Sequence, residues 1–306
     1  MKESWRVSLH GGHSGEFCDH AVGTLREMIQ AAVVAGYHTF GVSEHVPRAE
    51  KRFMYSEELA MGWDLKKVMT DFERYIASLD PLVEEFRDQI VLLRGFEGEV
   101  VPSNNYVELM QNYRARKLPD GAPVFDYFVG SVHYVDELQI DGKPEKFAKA
   151  VEHFGSLENL AIRYYETVAE MIVALKPDVV GHLDLVKKNV VKVGLNLADL
   201  QTSRVVRAAE RALEAALASN SILDLNTAGW RKGLGEPYPA PWLVKRANDM
   251  GIPFCFGDDS HKVSEVGAGI DDARGYLLQN GVGAITILTK ENTATSGKVV
   301  RRVVEL

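Results

Sequence analysis

The sequence predicts an α/β fold in a single domain: a barrel of about seven βα units, with an open doubly wound sheet as the alternative. Predicted strands and helices alternate seven times along the chain. The strands are continuous apolar runs, which is typical of a parallel sheet buried on both faces. No linker or low-complexity tract divides the 306 residues, and one α/β barrel accommodates that length. The domain is therefore predicted to span residues 1–306.

The first half of the chain contains four predicted strands and the helices between them. These segments are strand Trp5–His10, helix Thr24–Ala35, strand His38–His45, helix Asp64–Phe86, strand 89–100 and, after a loop and a helix, strand 125–135. Apolar residues recur at helical spacing in the first helix, and Gly36 is a suitable C-terminal cap for it. Pro47 ends the second strand because proline cannot donate a ladder hydrogen bond.

The second half continues the alternation. Its segments are helix Leu157–Leu175, strand 178–184, helix Leu197–Ala218, strand 222–229, helix Pro241–Met250, strand 252–261, helix Asp271–Leu278 and a terminal strand 284–288. Ser156 is a plausible N-cap for the first of these helices. The 222–229 run is expected to end as a strand at Asn226, followed by Arg231 and Lys232.

Composition restricts the class of protein. The formal net charge of −8 argues against non-specific binding to nucleic acid or to an anionic membrane. Only Cys18 and Cys255 are present, so no disulfide framework is expected and a reducing compartment is favoured. The start lacks the apolar stretch of a signal peptide, and no apolar run reaches membrane-spanning length. The expectation is a cytoplasmic globular protein with no nucleic-acid or membrane partner; the oligomeric state is not predicted.

Metal-binding residue types gather at the predicted strand ends. Seven of the nine histidines lie at a strand tip or in the loop behind one; His38 and His153 do not. The residues at these ends are His10, His13, His20, His45, Glu97, His133, His182, Asp259 and His261. In a βα barrel the chemistry sits at the carboxyl ends of the strands. A buried core histidine is the usual alternative for any one of them, but that alternative weakens for a converging set.

Imidazole and carboxylate ligands suit zinc, iron or manganese. Nine such groups are too many for one ion, since a catalytic zinc takes about three protein ligands plus water. Two or three ions are therefore expected. Glu97 can bridge two of them, because a carboxylate has two oxygens and an imidazole one free lone pair. A cluster of this kind serves hydrolysis of phosphate esters.

The motifs at these positions make the chain resemble the PHP (polymerase and histidinol phosphatase) family, and within it the histidinol-phosphate phosphatases. The matching segments are HSGEFCDHA at 13–21, SEHVPR at 43–48, GFEGEV at 95–100, GSVHY at 130–134, GHLDLVKK at 181–188, DLNTAGWRKG at 224–233, EPYP at 236–239 and GDDSH at 257–261. The resemblance implies a distorted (β/α)7 barrel with three divalent ions (Zn, Fe or Mn). It also implies a small-molecule substrate, L-histidinol phosphate, hydrolysed to L-histidinol and phosphate in histidine biosynthesis.

Residue by residue, the resemblance implies three metal sites. The first has His10, His13, Glu97 and Asp259; the second has Glu97, His133 and His182; the third has His20, His45 and His261. Glu97, Asp259 and His261 are the expected catalytic residues, with Asp259 or His261 passing a proton to the leaving oxygen. Arg231, Lys187 and, more weakly, Arg48 are the expected substrate binders, or else ordinary charges; lysine stands at 187 where related sequences tend to carry arginine.

Two departures from the family pattern affect these expectations. The family opens with His-x-His, whereas this chain has His10-Gly11-Gly12-His13. A bulge at the glycines would bring His10 to the metals; without one, the first site loses a ligand. Asp258 replaces a more usual serine, and strand alternation favours a side chain that points away.

Several alternatives stay open at this stage. Cys18 can bind zinc as a thiolate or simply pack the loop, and Glu99 can support a metal-bound histidine or be a rim charge. The alternative functions are a PHP-family phosphoesterase with another phosphomonoester substrate, and a barrel with an impaired metal site that only binds a ligand.

Overall fold

Parallel strands alternate with α-helices in the computed structural model, which describes residues 4–99, 106–291 and 297–306. The strands in these ranges are β1 (Val7–Ser8), β2 (Thr39–Val42), β3 (Val91–Arg94), β4 (Glu97–Glu99), β5 (Val129–Ser131), β6 (Tyr134–Val135), β7 (Leu138–Gln139), β8 (Val179–Val180), β9 (Ile222–Asn226), β10 (Phe254–Gly257), β11 (Ala284–Lys290) and β12 (Val299–Glu305). The helices are α1 (Leu25–Val34), α2 (Ser56–Ala60), α3 (Leu65–Phe86), α4 (Tyr106–Ala115), α5 (Pro144–Phe154), α6 (Leu157–Leu175), α7 (Ser203–Ala218), α8 (Ala228–Arg231), α9 (Pro241–Asp249) and α10 (Ile270–Gln279).

The main strands pair in parallel, as predicted for an α/β fold. One sheet has the order β1-β2-β3, and a second has the order β10-β9-β8-β5-β4. Every pairing within these two sheets is parallel. Two antiparallel hairpins, β6-β7 and β11-β12, form separate sheets.

Both faces of the parallel strands are buried. Val180, Leu223 and Phe256 belong to a large apolar cluster that also contains helix side chains. Their strand neighbours Val179 and Ile222 belong instead to a second, smaller cluster. Because alternate residues of a strand point to opposite faces, this division explains why the strands are continuous apolar runs.

The predicted helices are confirmed where the sequence contains a cap. The Thr24 side chain accepts a hydrogen bond from the Glu27 amide, and Glu27 reciprocates, which completes a capping box for α1. Gly36, with φ of +75°, follows the last turn of this helix in the left-handed conformation that glycine favours. Ser156 accepts from the Asn159 amide at the start of α6, whose bounds match the prediction.

Three predicted segments are each divided in the structure. The 125–135 strand becomes β5 and β6, which belong to different sheets. The 89–100 strand is broken at Gly95, where a Cβ atom would meet Tyr127 Cε1 at 2.4 Å; β3 then pairs with β2, and β4 pairs with β5. Val100, the last residue of this prediction, lies outside the described residues. The helix predicted from Leu197 begins as a short 3-10 turn, and α7 starts afresh after Thr202, which caps it.

Other differences concern elements that were not predicted. These are helices α2, α5 and α8 and the β6-β7 hairpin, and the terminal strand proved to be one arm of the β11-β12 hairpin. Within the described ranges, none of the helices has the length and apolar character needed to span a membrane.

Candidate metal centre

The ends of the parallel strands bring the predicted polar side chains to one place. His10 follows β1, His45 follows β2, Glu97 opens β4, His133 follows β5, His182 follows β8, and Asp259 and His261 follow β10. Two of these residues have backbone angles that L-residues rarely adopt: φ is +25° at His182 and +46° at Asp259. Strained backbone of this kind persists where the surrounding structure enforces it, which is common at functional sites.

Glu97 lies at the centre of the group and is fully buried. Its Oε1 is 3.3 Å from the Nε2 atoms of both His10 and His182 and 3.6 Å from His133 Nε2. Its Oε2 is 2.8 Å from His45 Nδ1 and 3.9 Å from His13 Nε2. A single carboxylate thus faces five imidazoles, as expected for a bridging ligand.

Asp259 closes one side of the group. Its Oδ1 is 3.6 Å from His13 Nε2, 4.0 Å from His10 Nε2 and 3.6 Å from His261 Nδ1. The His13 ring stacks on that of His261 with centroids 4.3 Å apart. His261 in turn approaches His45, with 3.4 Å between the two Nε2 atoms. His20, the most exposed member, stacks on His261 at 4.7 Å.

Carboxylates behind the ring hold the histidines in orientation. Asp224 Oδ2 is 2.8 Å from His10 Nδ1, and Glu44 Oε1 is 3.5 Å from His13 Nδ1. Glu99 Oε1 lies 3.3 Å from Nδ1 of both His45 and His133. Such partners select the tautomer and orient a metal-binding imidazole. Glu99 is completely buried, so it is not a rim charge.

Sequence reasoning missed Asp224 and Glu44 as members of the site. The available signal for Asp224 was an acid inside an otherwise apolar strand, since a buried carboxylate needs a partner. The signal for Glu44 was its position beside His45 at a strand end.

The acids and imidazoles of the ring perturb one another. Burial alone raises the pKa of Glu97, but His10, His45 and His133 outweigh it and hold that pKa well below the ordinary value. Burial also raises the pKa of Asp259, but His10 and His261 outweigh it, so that pKa is likewise lowered. Burial lowers the pKa of His10, but Glu97 and Asp224 outweigh it, so the pKa is raised. The carboxylates are therefore ionised and ready to bind cations.

The donor set fits divalent cations. Among the described residues, both carboxylate oxygens of Glu97, Nε2 of His10 and both ring nitrogens of His13 are buried without a hydrogen-bond partner. The short distances from Glu97 to the imidazoles thus lack hydrogen-bond alignment. Buried polar atoms without a partner are rare, and nitrogen and carboxylate donors around a common point are the ligands that zinc, iron and manganese prefer.

The two glycines at 11 and 12 let His10 join the ring. Gly12 has φ of +74°, which bends the chain between the two histidines as a bulge would. At Gly11, a Cβ atom would lie 2.2 Å from Asp258 Oδ1, so the position aligned with the missing histidine has no room for any side chain. His10 is fully buried, with its ring against Glu97.

Asp258 points away from the ring. Its Oδ2 accepts hydrogen bonds from Tyr37 Oη at 2.8 Å and from the Gly267 amide at 3.0 Å. Burial raises the pKa of this carboxyl group. Its role is to join the loop after β10 to neighbouring loops.

The three predicted substrate-binding cations are engaged within the protein. Lys187 Nζ is buried and lies 2.8 Å from Glu236 Oε1, 2.8 Å from the Pro237 carbonyl and 2.9 Å from Asp184 Oδ2. Arg231 donates to the carbonyl groups of Asp258 and Asp259.

Arg48, the third of these cations, contacts carboxylates behind the ring. It is paired with Glu58 at 3.2 Å and Glu99 at 3.3 Å. Each predicted phosphate contact would thus require a cation to exchange protein partners for substrate.

A cavity of about 330 Å³ opens above the ring. His20, His45, Glu97, His133, His182, Asp259 and His261 line its floor, and Asp141, Lys188 and Lys232 line its walls. Burial and the neighbouring Lys188 lower the pKa of Lys232. Burial raises the pKa of Asp141, but Lys188 and His133 outweigh it, so that pKa is lowered. None of these three wall residues was predicted from the sequence.

Comparison with protein families gives a match that covers the ring residues from His10 to His182 but not Asp259 and His261. The model for the PHP domain matches residues 9–228, a stretch that ends beside Asn226. Among curated proteins, the chain is 32% identical to a probable histidinol-phosphatase of Schizosaccharomyces pombe, covering 97% of this chain and 94% of that protein. It is 34% identical to a probable histidinol-phosphatase of Deinococcus radiodurans, covering 84% and 87%.

Solved structures resemble the fold. A putative histidinol phosphatase from Listeria monocytogenes superposes with a TM-score of 0.74 at 24% identity, covering 87% of this chain and 99% of that one. Histidinol phosphate phosphatase from Lactococcus lactis, solved with zinc, L-histidinol and phosphate, gives a TM-score of 0.67 at 18% identity, covering 93% and 97%.

Proposed function

The chain belongs to the PHP family, and we propose that it is a histidinol-phosphatase, a phosphoric monoester hydrolase that converts L-histidinol phosphate to L-histidinol and phosphate. The observation that carries this proposal is the ring around Glu97, where one buried carboxylate faces five imidazoles. Curated relatives from several organisms are histidinol-phosphatases by name, and the chain spans most of their length.

The ring would hold three divalent ions, zinc, iron or manganese. His10, His13, Glu97 and Asp259 form the first site, Glu97, His133 and His182 the second, and His20, His45 and His261 the third. Bound ions of this kind lower the pKa of a coordinated water, orient a phosphoryl group and neutralise charge on the leaving oxygen. Distances of 3.3–4.0 Å from the imidazole nitrogens to the Glu97 and Asp259 oxygens support this assignment.

The chain's own residues position the ester and its proton. Lys188 and Lys232 on the cavity wall place positive charge where a phosphate enters, and we assign them the phosphate contact ahead of Lys187, Arg231 and Arg48. Asp259 faces the same cavity and is placed to pass a proton to the leaving alkoxide, whereas both ring nitrogens of His261 are committed, Nδ1 to the Asp259 carbonyl and Nε2 to the third site. Asp141, kept ionised by Lys188 and His133, would attract the cationic histidinol part of the substrate.

The architecture proposed for this function is a distorted (β/α)7 barrel in one domain. Two observations support closure of the sheets into a ring. The Leu9 amide, just after β1, donates to the Phe256 carbonyl of β10 at 2.8 Å, which links the two sheets at one edge. His45, after β2, forms a parallel bridge with Glu97 of β4 at the other edge. The small second cluster would then be the barrel interior.

Phosphate release from L-histidinol phosphate tests the proposal. Purified protein is expected to release phosphate, to stop after removal of metal with a chelator, and to recover on addition of zinc or manganese. Failure of the metal-loaded protein to act on this ester would remove the substrate claim.

Two alternatives have distinct outcomes in the same assay. A phosphoesterase for another phosphomonoester would act faster on a different member of a substrate panel. A barrel that only binds a ligand would release no phosphate from any ester. His10 Nε2 lies 3.3 Å from Glu97 Oε1, so the first metal site has the ligand that the His-Gly-Gly-His spacing left in question. This disfavours a barrel that only binds a ligand.

A further inference from the structure

Cys18 lies beside the proposed third metal site, in the loop that connects His13 to His20. It is 6% exposed, and its Sγ is 3.2 Å from His20 Nδ1 and 3.6 Å from His20 Nε2. Ligand atoms of Cys18, His20, His45 and His261 all lie within 4.8 Å of one another. The group thus contains four donors, one more than the histidine triad assigned to this site.

His20 and His261 have hydrogen-bond partners at Nδ1, which leaves Nε2 of each for a ligand. His20 Nδ1 is 2.9 Å from Asp19 Oδ1, and His261 Nδ1 is 3.0 Å from the Asp259 carbonyl oxygen. His45 Nδ1 faces Glu97 at 2.8 Å and has no aligned hydrogen bond, although its side chain is only 9% exposed. Carboxylate and carbonyl partners at one ring nitrogen are the usual arrangement for an imidazole that binds metal through the other.

The distance between the His45 and His261 donors corresponds to one edge of a tetrahedron around zinc, and Cys18 and His20 lie beside that edge. Bond lengths of about 2.0–2.1 Å to nitrogen and 2.3 Å to sulfur give edges of about 3.4 Å between two nitrogens and about 3.6 Å between nitrogen and sulfur. The His45 and His261 Nε2 atoms are 3.4 Å apart. Cys18 Sγ is 3.6 Å from His20 Nε2 but only 3.2 Å from His20 Nδ1, so the His20 ring must rotate for Nε2 and the thiolate to bind one ion.

We propose that Cys18 supplies a thiolate as the fourth protein ligand of the third metal site, with Nε2 of His20, His45 and His261. This inference rests on the proposed trinuclear centre. Metal binding displaces the thiol proton to solvent, and the soft sulfur donor favours zinc at this site over manganese or magnesium.

A thiolate ligand gives this site a different character from the other two. Those sites contain nitrogen and oxygen donors only, whereas four protein donors around one tetrahedral ion leave no open position for water. The third ion would then orient His261 and His45 around the cavity, and the nucleophilic water would belong to the first two sites. If Cys18 only packs the loop, neither the closed coordination shell nor the preference for zinc is expected.

Cobalt substitution tests the proposal without measuring activity. The full chain is stripped with a chelator and titrated with Co²⁺ while the visible and near-ultraviolet spectra are recorded. The wild-type protein is expected to show cobalt ligand-field bands together with a sulfur-to-cobalt charge-transfer band in the near ultraviolet. Cys18→Ser and Cys18→Ala are expected to lose the charge-transfer band and to bind one cobalt equivalent at least ~10-fold more weakly.

Cys255→Ala is the matched control. Cys255 is the other buried cysteine and belongs to the second apolar cluster, so its replacement should leave the charge-transfer band intact. Ligand-field bands without a charge-transfer band in the wild type, or a band that survives in Cys18→Ser, would overturn the Cys18 assignment while leaving the trinuclear centre standing. Absence of any cobalt binding would overturn both.

Discussion

At the scale of single residues, Asp224 connects two of the proposed metal sites from behind the ring. Its Oδ2 is 2.8 Å from His10 Nδ1, and its Oδ1 accepts a hydrogen bond from the His182 amide at 2.6 Å. It also accepts from the Asn226 side chain at 3.0 Å. Asp224 therefore orients the His10 ring of the first site and holds the strained backbone at His182 of the second site.

Asp224→Asn is expected to weaken metal binding by about 10–100-fold, the usual cost of removing an outer-shell partner. An amide keeps the shape but lacks the negative charge that orients His10 and fixes its tautomer. Competition with a chelator measures the affinity. Asp249→Asn, at an exposed helix end, is the control and should behave as wild type; equal affinity in the two variants would contradict the orienting role.

Adjacent lysines are expected to have different roles. Lys188→Ala should raise the KM for histidinol phosphate roughly tenfold or more, since a hydrogen bond to a charged group contributes about 1.5–3 kcal/mol. Lys66→Ala, at an exposed position of α3, is the kinetic control.

Lys187→Met should instead destabilise the fold by about 3 kcal/mol, because Asp184 and Glu236 lose their buried partner.

Steady-state kinetics and denaturant unfolding separate the two effects. A raised KM in Lys187→Met with unchanged stability would instead favour the phosphate role predicted from the sequence for Lys187.

At the scale of elements, the loop after β1 decides whether the first site is complete. The His-Gly-Gly-His spacing left two outcomes open, because a regular strand places residues three apart on opposite faces. The structure resolves this through the left-handed Gly12 and the close packing of Gly11 on Asp258. The unusual acid at 258 and the missing histidine at 11 are thus neighbours in space.

Gly11→Ala is expected to destabilise the protein and to lower the metal content, because the new Cβ would lie 2.2 Å from Asp258 Oδ1 and the loop must move. Thermal unfolding and metal analysis measure the two effects. Gly275→Ala, in α10 with no atom within 4 Å of the added Cβ, should be neutral or stabilising by up to ~1 kcal/mol. Full metal content in Gly11→Ala would show that the tight fit at this position is unimportant.

Elements with local determinants were predictable, and elements shaped by distant contacts were not. The helix after Ser156 matches because its cap and its periodicity lie within the segment. The break at Gly95 depends on Tyr127, which is remote in sequence. The same distinction applies to the cations: nothing local to Lys187 and Lys188 shows that one meets Glu236 and the other lines the cavity.

At the scale of the whole molecule, the ring joins strands that are far apart in the sequence into one charged centre. Parallel strands share a carboxyl-end edge, so histidines and acids at those ends could be placed from the sequence. Of their orienting partners, Glu99 was one of the alternatives read from the sequence, whereas Asp224 and Glu44 are recognised only once the rings are oriented in space. The centre also makes stability depend on pH and on metal.

The pH dependence of the metal-free protein follows from the shifts. Burial disfavours the charged forms of Glu97, Glu99, His10 and His45, but their mutual attraction outweighs it. Because folding lowers the pKa values of Glu97 and Glu99, these carboxylates stabilise the folded protein at pH values above the ordinary 4.5. This stabilisation is lost as the pH falls through the folded-state pKa values. Because folding raises the pKa values of His10 and His45, these imidazolium groups stabilise the folded protein at pH values below the ordinary 6.5. This stabilisation is lost as the pH rises through the folded-state pKa values.

The pairs of Glu97 and Glu99 with His10 and His45 are therefore expected to stabilise chelator-treated protein most between pH 4.5 and 6.5. His13 and His261, whose pKa values burial lowers, add stability as the pH rises toward 6.5, so the highest Tm is expected near the upper end of this range. Zinc-loaded protein should instead keep its Tm as the pH rises, because metal binds the neutral imidazoles. Thermal unfolding with and without zinc across this range measures both curves. If the Tm of the metal-free protein kept rising as the pH increased beyond 6.5, that result would contradict the charge pairing described here.

The most direct test is the ratio of metal to chain in the purified protein, measured by inductively coupled plasma mass spectrometry. The ring is expected to retain about three divalent ions per chain, since its donors exceed what one zinc takes. A ratio of zero or one, in protein that is folded and was supplied with zinc, iron and manganese, would contradict the central claim.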